Sequence, residues 1–229
     1  MDAPARLSWS EAFAHGDLGA SFRREDQDVI ARRGEPADTA WFHRAGLLEV
    51  FQTSADGRGY LARLLSAPTV ICLKECVAGE ADYMQTVRVL ESAELVALPR
   101  ARVLDVLERN PALCLSTLLE VARAFCGAAK LESNRLDSLE SLLANVLLAY
   151  TDCCGEPWDR GIRMRVKRTQ SDLAEAVGGN ERSINRILTV WKRRGWVDKR
   201  DARYLVFDRD ALASIVGSDT QALVHRGRA

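Results

Sequence analysis

Residues 169–207 read TQSDLAEAVGGNERSINRILTVWKRRGWVDKRDARYLVF, and their pattern is helix, tight turn, helix, short hairpin. Leu173, Ala174 and Val177 put an apolar stripe on a first short helix. Gly178-Gly179 supplies the backbone freedom for a sharp turn. Asn180 is placed to cap a second helix, its side-chain oxygen accepting from free amides of the next turn. That helix is predicted to run to about Arg194, burying Ile184, Ile187, Leu188 and Trp191, with Gly195 at its C-cap. Trp196-Val197 and residues 204–207 form two short strands around the polar turn 200–203.

The other face of the second helix carries Glu181, Arg182, Asn185, Arg186 and Thr189. Arginine pairs bidentately with guanine and asparagine with adenine, because their planar hydrogen-bonding groups match those base edges. Glu181, Arg182, Asn185 and Arg186 are therefore the candidate base-reading residues of a recognition helix. Thr189, Lys192, Arg193, Lys199, Arg200 and Arg203 are candidates for phosphate contacts. An ordinary amphipathic helix also has a solvated charged face. The Gly-Gly turn, the Asn cap and the basic hairpin together favour nucleic acid.

This stretch resembles the winged helix-turn-helix of the superfamily named after the cyclic-AMP receptor protein and the fumarate-nitrate regulator. The family pattern Gly-x-Ser-Arg-Glu-Thr-Val-x-Arg-x-Leu aligns with Gly178 through Leu188, where Asn180, Ser183 and Ile184 stand for its Ser, Thr and Val and the Arg-Glu pair is reversed as Glu181-Arg182. The resemblance implies that Arg182, Asn185 and Arg186 read bases. It also implies that Thr169, Gln170 and Ser171 touch phosphates, and the reversed pair implies an operator different from the family consensus.

Across all 229 residues the formal charge is zero, but the halves differ. Residues 1–150 carry 16 basic and 21 acidic residues, net −5, and residues 151–229 carry 16 and 11, net +5. The basic half holds the helix-turn-helix, as DNA binding requires. No signal-peptide pattern and no membrane-spanning apolar run is present, so a cytoplasmic protein with reduced thiols is expected.

The predicted fold class is α+β: a β jelly-roll sensor domain, a long dimerisation helix and a C-terminal winged helix-turn-helix. Residues 1–22 form an N-terminal segment whose Trp9, Phe13, Leu18 and Phe22 suit one face of a small helix. Residues 23–109 read as short strands at 41–42, 47–51, 60–65, 69–73, 84–90 and 94–98, with an Asp56-Gly57 hairpin turn. Gly34-Glu35-x-Ala37-Asp38 followed by Gly46-x-Leu48-x-Val50 resembles the cyclic-nucleotide-binding domain of the same superfamily.

That family's nucleotide site uses a Gly-Glu pair for phosphate and ribose, and an Arg-Ser pair whose guanidinium neutralises the phosphate. Carried over by resemblance, these fall on Cys72-Leu73 and Tyr83-Met84, and the two base-touching hydroxyls of the long helix fall on Ala128 and Ala129. No arginine near Tyr83 could neutralise the phosphate except Arg88, further down the strand, and a buried phosphate without a cation or a ring of donors is costly. The expectation is a degenerate pocket that binds no cyclic nucleotide and is filled by Leu73, Tyr83 and Met84.

Residues 110–136 read as a helix opened by Asn110-Pro111, with Leu115, Leu118, Leu119, Ala122, Phe125, Cys126 and Ala129 along one side. So much apolar surface on one long helix suits a parallel two-helix dimer interface. Residues 137–217 make the DNA-binding domain. They begin with a helix over 139–151 that Asp137 or Ser138 caps and Gly155-Glu156-Pro157 ends, and they close with a short helix after Asp208. Residues 218–229 read as a flexible tail.

The six cysteines show no CxxC spacing and the three histidines are scattered, so no metal and no cofactor is expected. No nucleophile–base pair suggests an enzyme. The expected partners are a palindromic double-stranded DNA operator, a second copy of the chain and RNA polymerase, with no membrane and no cyclic nucleotide. A ligand- or redox-gated regulator, with a non-nucleotide effector in the altered cavity or a switch at Cys153-Cys154, is the alternative.

Overall fold

A computed structural model describes residues 8–13, 20–53, 57–133, 138–216 and 223–226; within these, the side chains of 12–13, 123–133 and 224–226 are outside the description. The chain divides into two compact units. The first comprises Met1–Leu48, Leu65–Lys130 and Arg226–Ala229, and the second Glu49–Leu64 and Leu131–His225.

In the first unit, α1 (Trp9–Phe13) precedes a sheet of β1 (Ser21–Arg24), β2 (Val29–Ala31), β3 (Thr39–Thr53), β5 (Thr69–Ile71) and β6 (Thr86–Pro99). β6 pairs antiparallel with β1 and β2, and β3 pairs antiparallel with β5. The strands predicted at 41–42 and 47–51 are one 15-residue strand, and those at 84–90 and 94–98 are also one. Gly46 is the reason for the first correction. At φ +95° it does not end β3 but lets it pass close to β6, where a Cβ would lie 2.2 Å from the Ser92 carbonyl oxygen.

The strand predicted to reach Leu73 stops at Ile71. Cys72 adopts the left-handed conformation (φ 58°) and starts α2 (Leu73–Ala78), which Gly79 closes at φ 75°. Phe22, expected on the N-terminal helix, lies on β1. Two helices follow β6: α3 (Arg100–Arg109) and α4 (Pro111–Ser133). The core joins Ala40, Phe42, Val96 and Leu98 of the sheet to Leu73, Cys76, Val103, Val106, Leu107 and Leu113 of the helices, with Trp9. α3 is absent from the sequence-based expectation, although Val103, Val106 and Leu107 have helical spacing and are its buried residues.

In the second unit, the end of β3 and β4 (Gly59–Ser66) form a hairpin. A four-stranded sheet runs β7-β8-β10-β9, from β7 (Gly155–Trp158), β8 (Gly161–Met164), β9 (Val197–Arg200) and β10 (Arg203–Val206). Helices α5 (Leu139–Cys154), α6 (Gln170–Val177), α7 (Glu181–Arg193) and α8 (Arg209–Val216) complete it. Ser138 caps α5, accepting from the Ser141 amide at 3.1 Å. Asp208 caps α8, accepting from the Ala211 amide at 2.8 Å. Gly155-Glu156-Pro157 ends the helix as expected but also begins β7, a strand the residue pattern does not announce.

Residues 223–226 are not a loose tail. Leu223 is buried and its carbonyl accepts from the Leu64 amide at 2.8 Å, and β11 (Val224–Arg226) pairs with β4. An unpaired strand edge presents free donors and acceptors, and β11 satisfies them on β4.

Candidate nucleic-acid interface

The interface is built by local signals. Thr169 opens α6 with a capping box: its hydroxyl accepts from the Asp172 amide at 3.0 Å, and the Asp172 carboxylate accepts from the Thr169 amide at 2.7 Å. Gly178 closes α6 at φ +64°, and the Gly179 amide donates to the Ala174 carbonyl at 2.8 Å. Asn180 then caps α7, its side chain accepting from the Ser183 amide at 2.9 Å. Ile184, Leu188 and Trp191 are buried, and the Trp191 indole donates to Glu140 of α5 at 2.9 Å. Ile187, expected fully buried, is half-buried. With that face held, α7 turns Glu181, Arg182, Asn185, Arg186 and Thr189 to solvent.

Within this face, Gln170 Nε2 donates to Asn185 Oδ1 at 3.1 Å, and the Thr189 hydroxyl donates back to the Asn185 carbonyl at 2.7 Å. Thr169 and Ser171 are exposed at the start of α6. Arg193 is exposed near the end of α7, in the last turn that also holds Lys192. The β9–β10 hairpin, which forms the wing, organises its own cations. Asp198, which no sequence motif singles out, pairs with Lys192 at 2.7 Å and Arg200 at 3.7 Å. The Lys192 hydrogen bond holds the Asp198 carboxyl below the usual carboxylate range. Lys199 sits 4.7 Å over the Tyr204 ring, and burial lowers its pKa. The Arg203 guanidinium donates to the Arg165 carbonyl at 2.8 Å, and Asp201 and Ala202 make the tight turn with φ of 50° and 62°.

Two family descriptions match the chain: "Cyclic nucleotide-binding domain" over residues 22–110 and "Crp-like helix-turn-helix domain" over residues 143–215. The chain belongs to the CRP/FNR superfamily of transcription regulators. Among characterised relatives, the anaerobic regulatory protein of Bacillus subtilis is 22% identical over 197 residues, covering 83% of this chain and 81% of that protein. The CRP-like cAMP-activated global transcriptional regulator of Mycobacterium tuberculosis is 20% identical over 189 residues, covering 81% and 83%. The solved structure of a CRP-family transcriptional regulator from Thermus thermophilus superposes with a TM-score of 0.68 at 22% identity, covering 88% of this chain and 99% of that one.

In this CRP/FNR chain the positions matched to the nucleotide site are placed as follows. Cys72 holds the left-handed cap of α2, and burial pushes its thiol far up. Leu73 is buried in the core against α3. Tyr83 is buried with its phenol donating to the Thr39 carbonyl at 2.6 Å. Burial pushes that phenol up to about 12. Met84 is 58% exposed, so it fills no cavity, contrary to the sequence expectation. Ala128 and Ala129 lie outside the described side chains, as do Phe125 and Cys126 of the expected dimer stripe. On α4, Leu113 and Thr117 are buried, whereas Leu115 (42%), Leu118 (62%), Leu119 (36%) and Val121 (37%) are exposed, and Ala122 is exposed with them. Among the described residues no helix is long and apolar enough to cross a membrane.

Proposed function

We propose that this CRP/FNR regulator acts as a homodimer on palindromic DNA and needs no cyclic nucleotide to do so. The observation that carries the reading is the division of α7: Ile184, Leu188 and Trp191 are buried while Arg182, Asn185 and Arg186 are exposed together. In this reading Arg182, Asn185, Arg186 and Glu181 meet base edges. Thr169, Gln170, Ser171, Thr189, Lys192, Arg193, Lys199, Arg200 and Arg203 hold the duplex by its phosphates.

Dimerisation is supported by α4. An exposed row of leucines along one long helix is a face that a parallel partner helix would bury. Two copies joined there would place two recognition helices in successive major grooves, about 34–36 Å apart.

Nucleotide independence is supported by the chemistry at the matched positions. A phosphate there would meet the aliphatic Leu73, a tyrosine whose hydroxyl is already donated to Thr39, and the solvent-facing Met84. None of these supplies the guanidinium that neutralises a phosphate. The testing experiment pairs calorimetric titration with cyclic AMP and cyclic GMP with operator selection from random DNA lacking either. Absent heats and a selected palindrome are expected. Saturable binding of either nucleotide, with a palindrome selected only in its presence, overturns the reading.

A further inference from the structure

The β3–β4 hairpin grips both ends of α6. At the N-terminal end, Glu49 of β3 is fully buried and pairs with Arg168 Nη2 at 3.1 Å, where the two side chains are 1% exposed or less. Tyr150 of α5, also buried, donates its hydroxyl to Glu49 Oε1 at 2.5 Å. The Arg168 guanidinium lies 5.8 Å from the Tyr150 ring centre. Arg168 immediately precedes Thr169, the N-cap of α6, and its own amide donates to the Ala202 carbonyl in the wing turn at 3.0 Å. At the C-terminal end, Gly178 lies against the hairpin tip: a Cβ there would meet the Gly59 carbonyl oxygen at 3.4 Å and the Arg58 and Tyr60 side chains at 4.0 Å.

A buried ion pair is a poor way to gain stability, because desolvating both charges offsets most of their attraction. In a dry site, however, neither charge can leave the other without being buried alone, so the pair holds one arrangement among several that apolar contacts would tolerate. Here the fixed group is the residue that starts the helix-turn-helix and bonds to the wing. Burial and the Glu49 charge raise the Tyr150 pKa well above its ordinary value, so the phenol stays a donor to the carboxylate.

We infer that Glu49, acting through Arg168 and steadied by Tyr150, is a positioning residue for DNA recognition: it sets the attitude of α6, and with it the recognition helix α7, on the β3–β4 hairpin. β4 is in turn held on its outer side by the Leu223 carbonyl. The inference rests on the dimeric, palindromic reading above, because attitude matters most when two recognition helices must match two half-sites at once.

The test is selection from a library in which two fixed half-sites are separated by variable spacers. It compares the full-length wild type with the double variant Glu49→Met/Arg168→Met and with Tyr150→Phe. Replacing both charges by apolar groups of similar length avoids leaving either one buried alone. The wild type is expected to prefer one spacing. The double variant should melt cooperatively and still bind a single half-site, yet lose its spacing preference by about fivefold or more, the usual size of a coupling between linked sites. Tyr150→Phe should broaden the preference less, and it decides the matter if the double variant does not fold. Unchanged spacing selectivity in a folded double variant, or in Tyr150→Phe when that variant decides, overturns the positioning role. A wild type with no spacing preference overturns the palindromic reading itself, and the inference with it.

Discussion

Gln170 on the first helix of the helix-turn-helix donates to the side-chain oxygen of Asn185 on the second, at 3.1 Å. One acceptor site of the Asn185 side-chain oxygen is therefore engaged within the protein. Bidentate reading of adenine needs both that oxygen and the amino group. Gln170→Ala should free the carbonyl and sharpen adenine preference at one operator position by about 1 kcal/mol, the net worth of a typical hydrogen bond. Operator selection with the variant checks it. An identical selected site from variant and wild type would mean that Asn185 does not reach a base.

Arg186 is exposed on the same face and has a planar fork suited to guanine. Arg186→Ala should cost about 1–3 kcal/mol of specific binding and relax one base position. Titration against the selected operator and its single-base variants gives the answer. A uniform loss at every position would instead assign Arg186 to a phosphate.

Leu118 is 62% exposed on α4, beside Leu115 and Leu119. Leu118→Glu should leave the protomer folded, since the side chain packs on little within it, and should dissociate the dimer by burying a charge in the interface. Sedimentation velocity at micromolar concentration should show a monomer with a wild-type circular dichroism spectrum. A dimer under those conditions would place the interface elsewhere.

His43 is fully buried on β3. Burial lowers its pKa to about 4, a fall that the Ala45 backbone only partly offsets. The folded state thus holds His43 neutral down to about pH 4, whereas the unfolded chain takes up a proton near pH 6.5. Stability from this group is complete above the unfolded value and is lost as pH falls from about 6.5 to about 4, by up to about 3 kcal/mol. Urea melts across that range should show the slope in the wild type and a flatter profile in His43→Phe.

Gly46 crosses β6 at φ +95° with the Ser92 carbonyl oxygen 2.2 Å from where a Cβ would sit. Gly46→Ala should cost at least about 1–3 kcal/mol from conformation alone, with the clash added. Gly34 also has positive φ (+84°), but with nothing within 4 Å of its Cβ position, so Gly34→Ala separates the two causes by thermal melting.

What is legible in the sequence is what short spacing encodes. Asn180, Gly178 and the Ile184–Leu188–Trp191 stripe act over one or two turns, and the helix-turn-helix they predict is the one observed. Ser138 and Asp208 cap the helices expected of them for the same reason. Sequence and structure part where a local signal has two meanings. Gly46 reads as a strand break and is a close crossing, Cys72 takes a left-handed turn unusual for its type, and Gly155 ends one element while starting another. Asp198 is silent in the sequence because an acid among bases shows its purpose only once Lys192 and Arg200 lie beside it.

The sequence by itself determined the fold class and the face of α7 that looks outward, because both rest on the order and periodicity of residues along the chain, and it pointed to the family through the resemblance of its helix-turn-helix stretch. Tertiary structure decided which polar groups meet. Glu49 and Tyr150 are 101 residues apart, and nothing in either neighbourhood marks a carboxylate bound for a dry site. A buried charge is tolerable only where folding brings its partners to it, so the pairing of Glu49 with Arg168 becomes visible only in three dimensions.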